Sequence, residues 1–424
     1  MKVPTWKMAA YSANQLGVNL LWQAFNTVAV FYYVTVLKVP GATLSEGLIA
    51  FGIINAFFNL AAGYASDRTS TRWGRRIPYV VATALPFGLA FYFLFRPPAV
   101  SASALIVYFV ALTFLFDFFF TVTTLNIMAL FPEMYQEPRQ RNFVSALSQV
   151  FGIVGLILGV ALSKSLGQTI GWSAMALAFG LLGAASVYVA LLGSFENPVY
   201  RAVPAFPLKQ ALTATFSNRR FVHYVVASFL IQLVTTMLTT IAAFYTKYVV
   251  PLSALDYSLF MGAIFVVAVP VSFVWAKIAN RLSNAVAALL STALCAVTLT
   301  AFLFDRSALS VIVTGVVLGL SISGFLVLLN VLLADVIDYD AQRTGQRREG
   351  MYLGMNGFIV RIGLSVQYAI MAVFFSVSGF NAARTVQSVR AVWGFRILLG
   401  ALPVVFLIIA LIFLVAYRQD TQRA

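Results

Sequence analysis

Twelve apolar runs of about 20 residues or more, each with few charges, follow one another along the chain: 10–37, 45–66, 78–96, 103–132, 142–164, 172–194, 222–249, 257–279, 284–304, 308–335, 351–379 and 391–417. About 20 residues of helix cross a hydrocarbon core of about 30 Å, so each run is long enough to span a bilayer. With 61% hydrophobic and 10% charged residues, and a mean hydropathy of +0.91, one or two soluble cores could not hide this much apolar surface. The expected fold is all-α and integral to the membrane, with 12 transmembrane helices.

Charge is concentrated between the runs. The stretch Asp67 to Arg76, DRTSTRWGRR, carries five charged side chains in ten and reads as a loop between spans two and three. The net charge of +15 belongs to such loops and forms no extended basic aromatic surface, so a nucleic-acid partner is not expected; the bilayer and its anionic headgroups are. With the N-terminus inside, 19 of the 28 Lys and Arg fall on inner segments and 7 on outer ones, while Arg361 and Arg396 fall within spans. That asymmetry puts both termini in the cytoplasm, with a cell inner membrane as the default location. The single cysteine, Cys295, permits no intrachain disulfide, and the segment before the first run is too short for a cleaved signal peptide. The longest polar connection, with Pro198, Pro204 and Pro207, divides the spans six and six. It gives an N-terminal half at 1–194, a cytoplasmic linker at 195–221 and a C-terminal half at 222–424. No channel filter stands out, and the one histidine, His223, at the start of span seven, offers no enzyme constellation. Neither a cofactor nor a resident metal is expected.

Two loops carry a family resemblance. GYASDRTSTRWGRRIPYV, between spans two and three, and LLADVIDYDAQRTGQRREGMYLGMNGFIVR, between spans ten and eleven, resemble the paired signature of the glycoside-pentoside-hexuronide:cation symporters. Tyr11, the FYY at Phe31 to Tyr33, LFPEMYQEPRQRNFVSA and SNRRF are similar as well. This melibiose-carrier-like branch of the major facilitators implies two six-helix halves that rock about a central substrate site. Independently of the resemblance, acids and bases in corresponding loops can pair to hold one face shut. The expected gate is Asp67, Arg68, Arg72, Arg75 and Arg76 with Asp335, Asp338, Arg343, Arg347 and Glu349. The bland alternative is that these charges only set topology.

The interior departs from the family. Where the resemblance implies charged residues or a tryptophan, this sequence has Val18 and Asn19, Asn55 and Asn59, Thr124 and Met128, and Ser148; only Arg361 keeps its charge. Asn55 and Asn59 share a helical face, but a site without carboxylates lacks the attraction that offsets stripping water from an ion. The family's usual sodium site is therefore expected to be lost. Asp117 is the acid well inside a span, sharing a stripe with Thr121, Thr124 and Met128; it is a candidate for proton coupling, for a structural pair with Arg361, or for a place at the lipid edge. Arg361 is the leading candidate for substrate contact, its guanidinium suited to a carboxylate or phosphate. Asn19, Asn55, Asn59, Thr124, Met128, Gln149, Tyr352 and Asn356 would line the same cavity, although any one amide can instead bond a neighbouring helix.

The expected function is secondary transport of a small organic solute, with a sugar or glycoside favoured, by a chain expected to act as a monomer. An amphiphile such as a lysophospholipid is the alternative substrate. The alternative class is a non-transporting membrane sensor or assembly factor.

Overall fold

The computed structural model describes residues 3–49, 51, 71, 74, 76–135, 137–196, 217–344, 349–384 and 386–422. They fold into helices: α1 (Thr5–Ser12), α2 (Asn14–Phe31), α3 (41–49), α4 (Ile77–Leu94), α5 (Ala102–Met134), α6 (Pro138–Ile157), α7 (Ser163–Thr169) and α8 (Trp172–Gly193) come first. After them come α9 (Arg219–Tyr248), α10 (Ala254–Leu282), α11 (Asn284–Leu299), α12 (Ala308–Thr344), α13 (Glu349–Val377), α14 (Val389–Arg396) and α15 (Leu402–Gln422). Single π turns at Tyr32–Val36, Leu158–Leu162 and Ile397–Ala401 extend α2, join α6 to α7 and join α14 to α15. Among the described residues, ten helical stretches are long and apolar enough to cross a membrane, and each of the expected spans three to twelve falls on one of them. The expected second span, 45–66, lies mostly outside the described residues.

The chain divides into two compact units, Met1–Pro204 and Ala205–Ala424. In the first, α2 is gripped between α6 and α8 by close backbone approach. A Cβ on Gly17 would overlap Gly183 and Ser186 of α8, and one on Gly155 would overlap the backbone of Leu16. Lipid tails are as apolar as leucine, so such small-residue seams supply the helix association that hydrophobic burial supplies in water. Gly155→Val is expected to cost about 1–3 kcal/mol through overpacking, read as a lower Tm of the detergent-solubilised protein. Against α5, α2 runs antiparallel. The Tyr11 hydroxyl donates to the Ile127 carbonyl at 2.8 Å, Trp22 stacks on Phe120 at 4.4 Å, and Tyr33 meets Phe109 at 4.2 Å.

In the second unit α9 is the most enclosed long helix among the described residues, and α13 and α15 pack on it. Facing α12, α10 is held by the Trp275 indole N–H, which donates to the Leu320 carbonyl at 2.7 Å. Outward faces in both units are aliphatic, as lipid requires: Leu177, Leu181 and Leu192 on α8, and Val405, Ile408 and Ile412 on α15. Arg396, read from the sequence as a charge within a span, sits at the end of the 3₁₀ turn that closes α11. Its guanidinium donates to the carbonyls of Phe302, Leu303 and Asp305 at 2.8–3.0 Å. It therefore neutralises the carbonyl end of a helix. Beside it Asp305 accepts from Thr314 at 3.0 Å; burial pushes its carboxyl above the usual range, against the hydrogen bonds of Ser310 and Thr314 and the charge of Arg396.

Candidate functional site

Along α2, everything from Gly17 to Phe31 is buried except Asn19, Trp22 and Gln23, and toward the N-terminus Gln15 and Leu16 join them. These five lie on one face of the helix by their spacing. Apart from Leu16, the accessible strip of this helix consists, among the described residues, of three amides and an indole. The Asn19 amide donates back to Gln15, to its carbonyl at 2.9 Å and its side-chain oxygen at 3.1 Å. Gly152 of α6 lies directly against Asn19, which fixes where the amide sits.

Three of the candidates on α5 and α6 point differently. Thr124 is partly buried and its hydroxyl returns to the Phe120 carbonyl at 2.8 Å, while Met128 is 59% exposed and Gln149 is exposed. Asp117 is fully buried, with Thr113 and Thr121, one turn to either side, equally enclosed. That enclosure removes the lipid-edge reading of Asp117. Asn55 and Asn59 lie outside the described residues.

In the second unit, α9 carries a comparable strip. Phe229, Gln232, Thr235 and Thr236 are partly accessible between fully buried neighbours, and Gln232 donates to Ser228 at 3.0 Å. Alongside, α13 runs parallel to it, pinned where Gly363 meets the Phe229 ring and where Gln367 donates to Thr240 at 2.9 Å. Arg361, half a turn before Gly363, is partly buried at the depth of this strip. Asn356, also partly buried, has a side-chain oxygen with no hydrogen-bond partner among the described residues. Tyr352 is fully buried, accepts from Asn218 at 3.1 Å and meets Phe221 edge to face at 5.0 Å, so it packs the start of α9.

Thr71 and Gly74 exchange backbone hydrogen bonds, and the backbone N–H groups of Arg76 and Ile77 donate to the Glu196 carboxylate at 2.7 and 2.8 Å. Glu196 thus caps the N-terminus of α4 from the chain that follows α8. Gly74 has φ +108°, and a Cβ there would run into the Glu196 carboxylate. Glu196 was not among the expected gate residues; an acid after the sixth span carries no sequence signal that its partner lies at the start of the third. Gly74→Ala should destabilise by about 1–2 kcal/mol, and less in a Glu196→Ala background because part of the clash is gone; a double-mutant cycle of Tm values measures the difference.

Asp335, Asp338 and Arg343 belong to the last turns of α12, not to a loop, because neither Gly nor Pro interrupts the chain from Phe325 to Thr344. All three are exposed, and Asp335 accepts from Asn284 at 2.7 Å. Nearby, Arg220 lies over the Tyr339 ring at 3.4 Å and donates to the Asp420 carbonyl at 2.7 Å, while His223 and the Asp420 carboxylate meet at 2.8 Å. His223 is thus a link between α9 and α15. Asp67, Arg68, Arg72, Arg75, Arg347 and the side chain of Glu349 lie outside the described residues.

A family model described as MFS/sugar transport protein matches residues 10–421. The chain is 24% identical over 405 residues to the isoprimeverose transporter of Lactiplantibacillus pentosus, covering 92% of this chain and 84% of that one. It is 23% identical over 442 residues to the glucuronide carrier protein homolog of Escherichia coli (strain K12), covering 99% and 94%. Among solved structures, a variant of the nucleoside transporter NupG has the same fold, with a TM-score of 0.72 at 12% identity over 97% of this chain and 98% of the other.

Proposed function

The chain belongs to the MFS/sugar transport protein family and is a secondary transporter, not an enzyme; from that premise we propose that it carries a sugar or glycoside across the cell inner membrane by alternating access. The observation that carries this reading is the pair of accessible strips. The first long helix of each unit buries most of its residues and, toward its middle, leaves polar side chains and an aromatic ring partly accessible: Asn19, Trp22 and Gln23 on α2, and Phe229, Gln232 and Thr236 on α9. Polar side chains at mid-span belong where water or a polar solute meets them. Uncharged donors and acceptors beside aromatic rings suit a polyhydroxylated solute. The further substrate-contact candidates are Asn55, Asn59, Thr124, Met128 and Gln149 in the first unit, and Arg361, Asn356 and Tyr352 in the second.

The names of the two relatives, one a carrier of isoprimeverose and one of a glucuronide type, place neutral and acidic glycosides in the test panel. Thermal-shift binding of the purified protein to isoprimeverose, lactose, methyl glucuronide and lysophosphatidylcholine tests the substrate class. Stabilisation by a sugar and not by the lysolipid supports the reading, and the reverse pattern transfers it to amphiphiles.

Sodium coupling is proposed to be absent. Asn19, Asn55, Asn59 and Thr124 stand where the family's acids would be, and a carboxylate-free site binds Na⁺ weakly. Uptake should be the same in sodium and choline buffers, and a several-fold sodium stimulation would overturn this. The gate reading extends to Asp67, Arg68, Arg72, Arg75 and Arg76 with Asp335, Asp338, Arg343, Arg347 and Glu349, and both termini are proposed to be cytoplasmic from the Lys and Arg distribution.

A further inference from the structure

We propose that Trp22, with Asn19 and Gln23, forms an uncharged sugar-binding platform on α2, in which the indole carries the C–H face of a pyranose and the indole N–H and two amides hold its hydroxyls. The proposal rests on the transport reading above and adds which residues recognise the solute.

Trp22 stands in the middle of the continuous helical stretch from Asn14 to Val36. Tryptophan in membrane proteins favours the two interfaces, where its N–H meets water, so an accessible indole at mid-span needs another partner for that group. The Trp22 N–H has none among the described residues, in contrast to Trp275, whose N–H is taken by a carbonyl. Gln23, one residue on, likewise has no side-chain partner among them, and the Asn19 side-chain oxygen is also left over after its amide has bonded Gln15. Three polar groups within about one turn therefore present unused donors and acceptors on the one accessible strip of the helix. A lipid-facing strip would be aliphatic, as on α8 and α15.

The ring is also held still. Phe120 stacks on it at 4.4 Å with planes 16° apart, and behind Phe120 the buried Phe87 and Phe116 pack at 5.1 Å from each other. A rigid aromatic surface loses little freedom on binding, which favours stacking against a flat, weakly polar ligand face. The absence of any charge in the trio selects hydroxyls over ionic groups, which leaves acidic parts of a solute to other residues.

The test is uptake of isoprimeverose and lactose by proteoliposomes containing the full chain, with Trp22→Phe, Trp22→Ala and Gln23→Ala. Trp22→Phe keeps a ring for Phe120 and removes the N–H, so KM should rise about tenfold, the size of one enclosed hydrogen bond. Trp22→Ala removes the surface as well and should raise KM by about 100-fold; Gln23→Ala should raise it about fivefold. As a readout independent of transport, sugar should change the tryptophan emission of the wild-type protein and not of Trp22→Phe, which also decides the matter if Trp22→Ala does not fold. Wild-type KM values and an unchanged emission response in the Trp22 variants would overturn the platform while leaving the transport reading intact. Failure of the wild-type protein to move either sugar, with the lysolipid moved instead, would overturn both.

Discussion

Replacing Arg361 by alanine should lower kcat/KM for an acidic glycoside such as methyl glucuronide by about 100-fold, with a much smaller effect on a neutral disaccharide. The expectation follows from where the residue sits. Arg361 lies near the middle of the 29-residue α13, which Gly363 pins against Phe229. A guanidinium at that depth is too costly to face lipid, and it is only partly buried. Its planar fork suits a carboxylate, and charge-assisted hydrogen bonds are worth about 1.5–3 kcal/mol, or about 10- to 100-fold in affinity. Arg361→Lys keeps the charge without the fork and should recover only part of the loss. Equal losses for neutral and acidic glycosides would assign Arg361 to folding or to the conformational change; no loss for either would remove it from the site.

Asp117→Asn should flatten the pH profile of uptake between about pH 5 and 8, provided the carboxyl exchanges the coupled proton. The residue is fully enclosed in α5, between Thr113 and Thr121 on the same buried stripe. An amide has nearly the shape of a carboxyl group, so the variant can keep the packing while losing the titration. If wild-type uptake is driven by an inward pH gradient and the variant performs only exchange of solute for solute, Asp117 handles the proton. If the variant keeps the wild-type pH dependence but melts at a lower temperature, the carboxyl is structural, and coupling belongs elsewhere.

The membrane class and the family were legible in the sequence, for physical reasons. A bilayer imposes a length on apolar runs, so the ends of α4, α8, α9 and α11 fall within a few residues of the runs that announced them. The end of α12 was not legible in that way: hydropathy stops near Asp335, whereas the helix continues to Thr344 because nothing in the backbone chemistry stops it. The π turns after Phe31, Ile157 and Arg396 leave no hydropathy signal either.

The candidate site was legible in part. Asn19 and Arg361 stood out as a polar and a charged residue at mid-span, and both are partly accessible. Trp22 did not stand out, because a tryptophan in an apolar run reads as packing until the burial of the rest of the helix shows that its face is the accessible one. Tyr352, another polar candidate, has its hydroxyl engaged by Asn218, a partner that its place in the sequence does not announce. Glu196 was invisible because its partners, the backbone N–H groups of Arg76 and Ile77, lie about 120 residues away and have no side-chain identity.

The central claim, sugar transport without sodium, is tested most directly by counterflow. Proteoliposomes containing the purified protein are preloaded with unlabelled isoprimeverose and diluted into labelled isoprimeverose, in sodium-free and sodium buffers. The account predicts a transient accumulation of label above the protein-free control, equal in the two buffers and abolished by Trp22→Ala. Label entry no faster than in protein-free liposomes across the sugar panel, or accumulation that requires sodium, would contradict it.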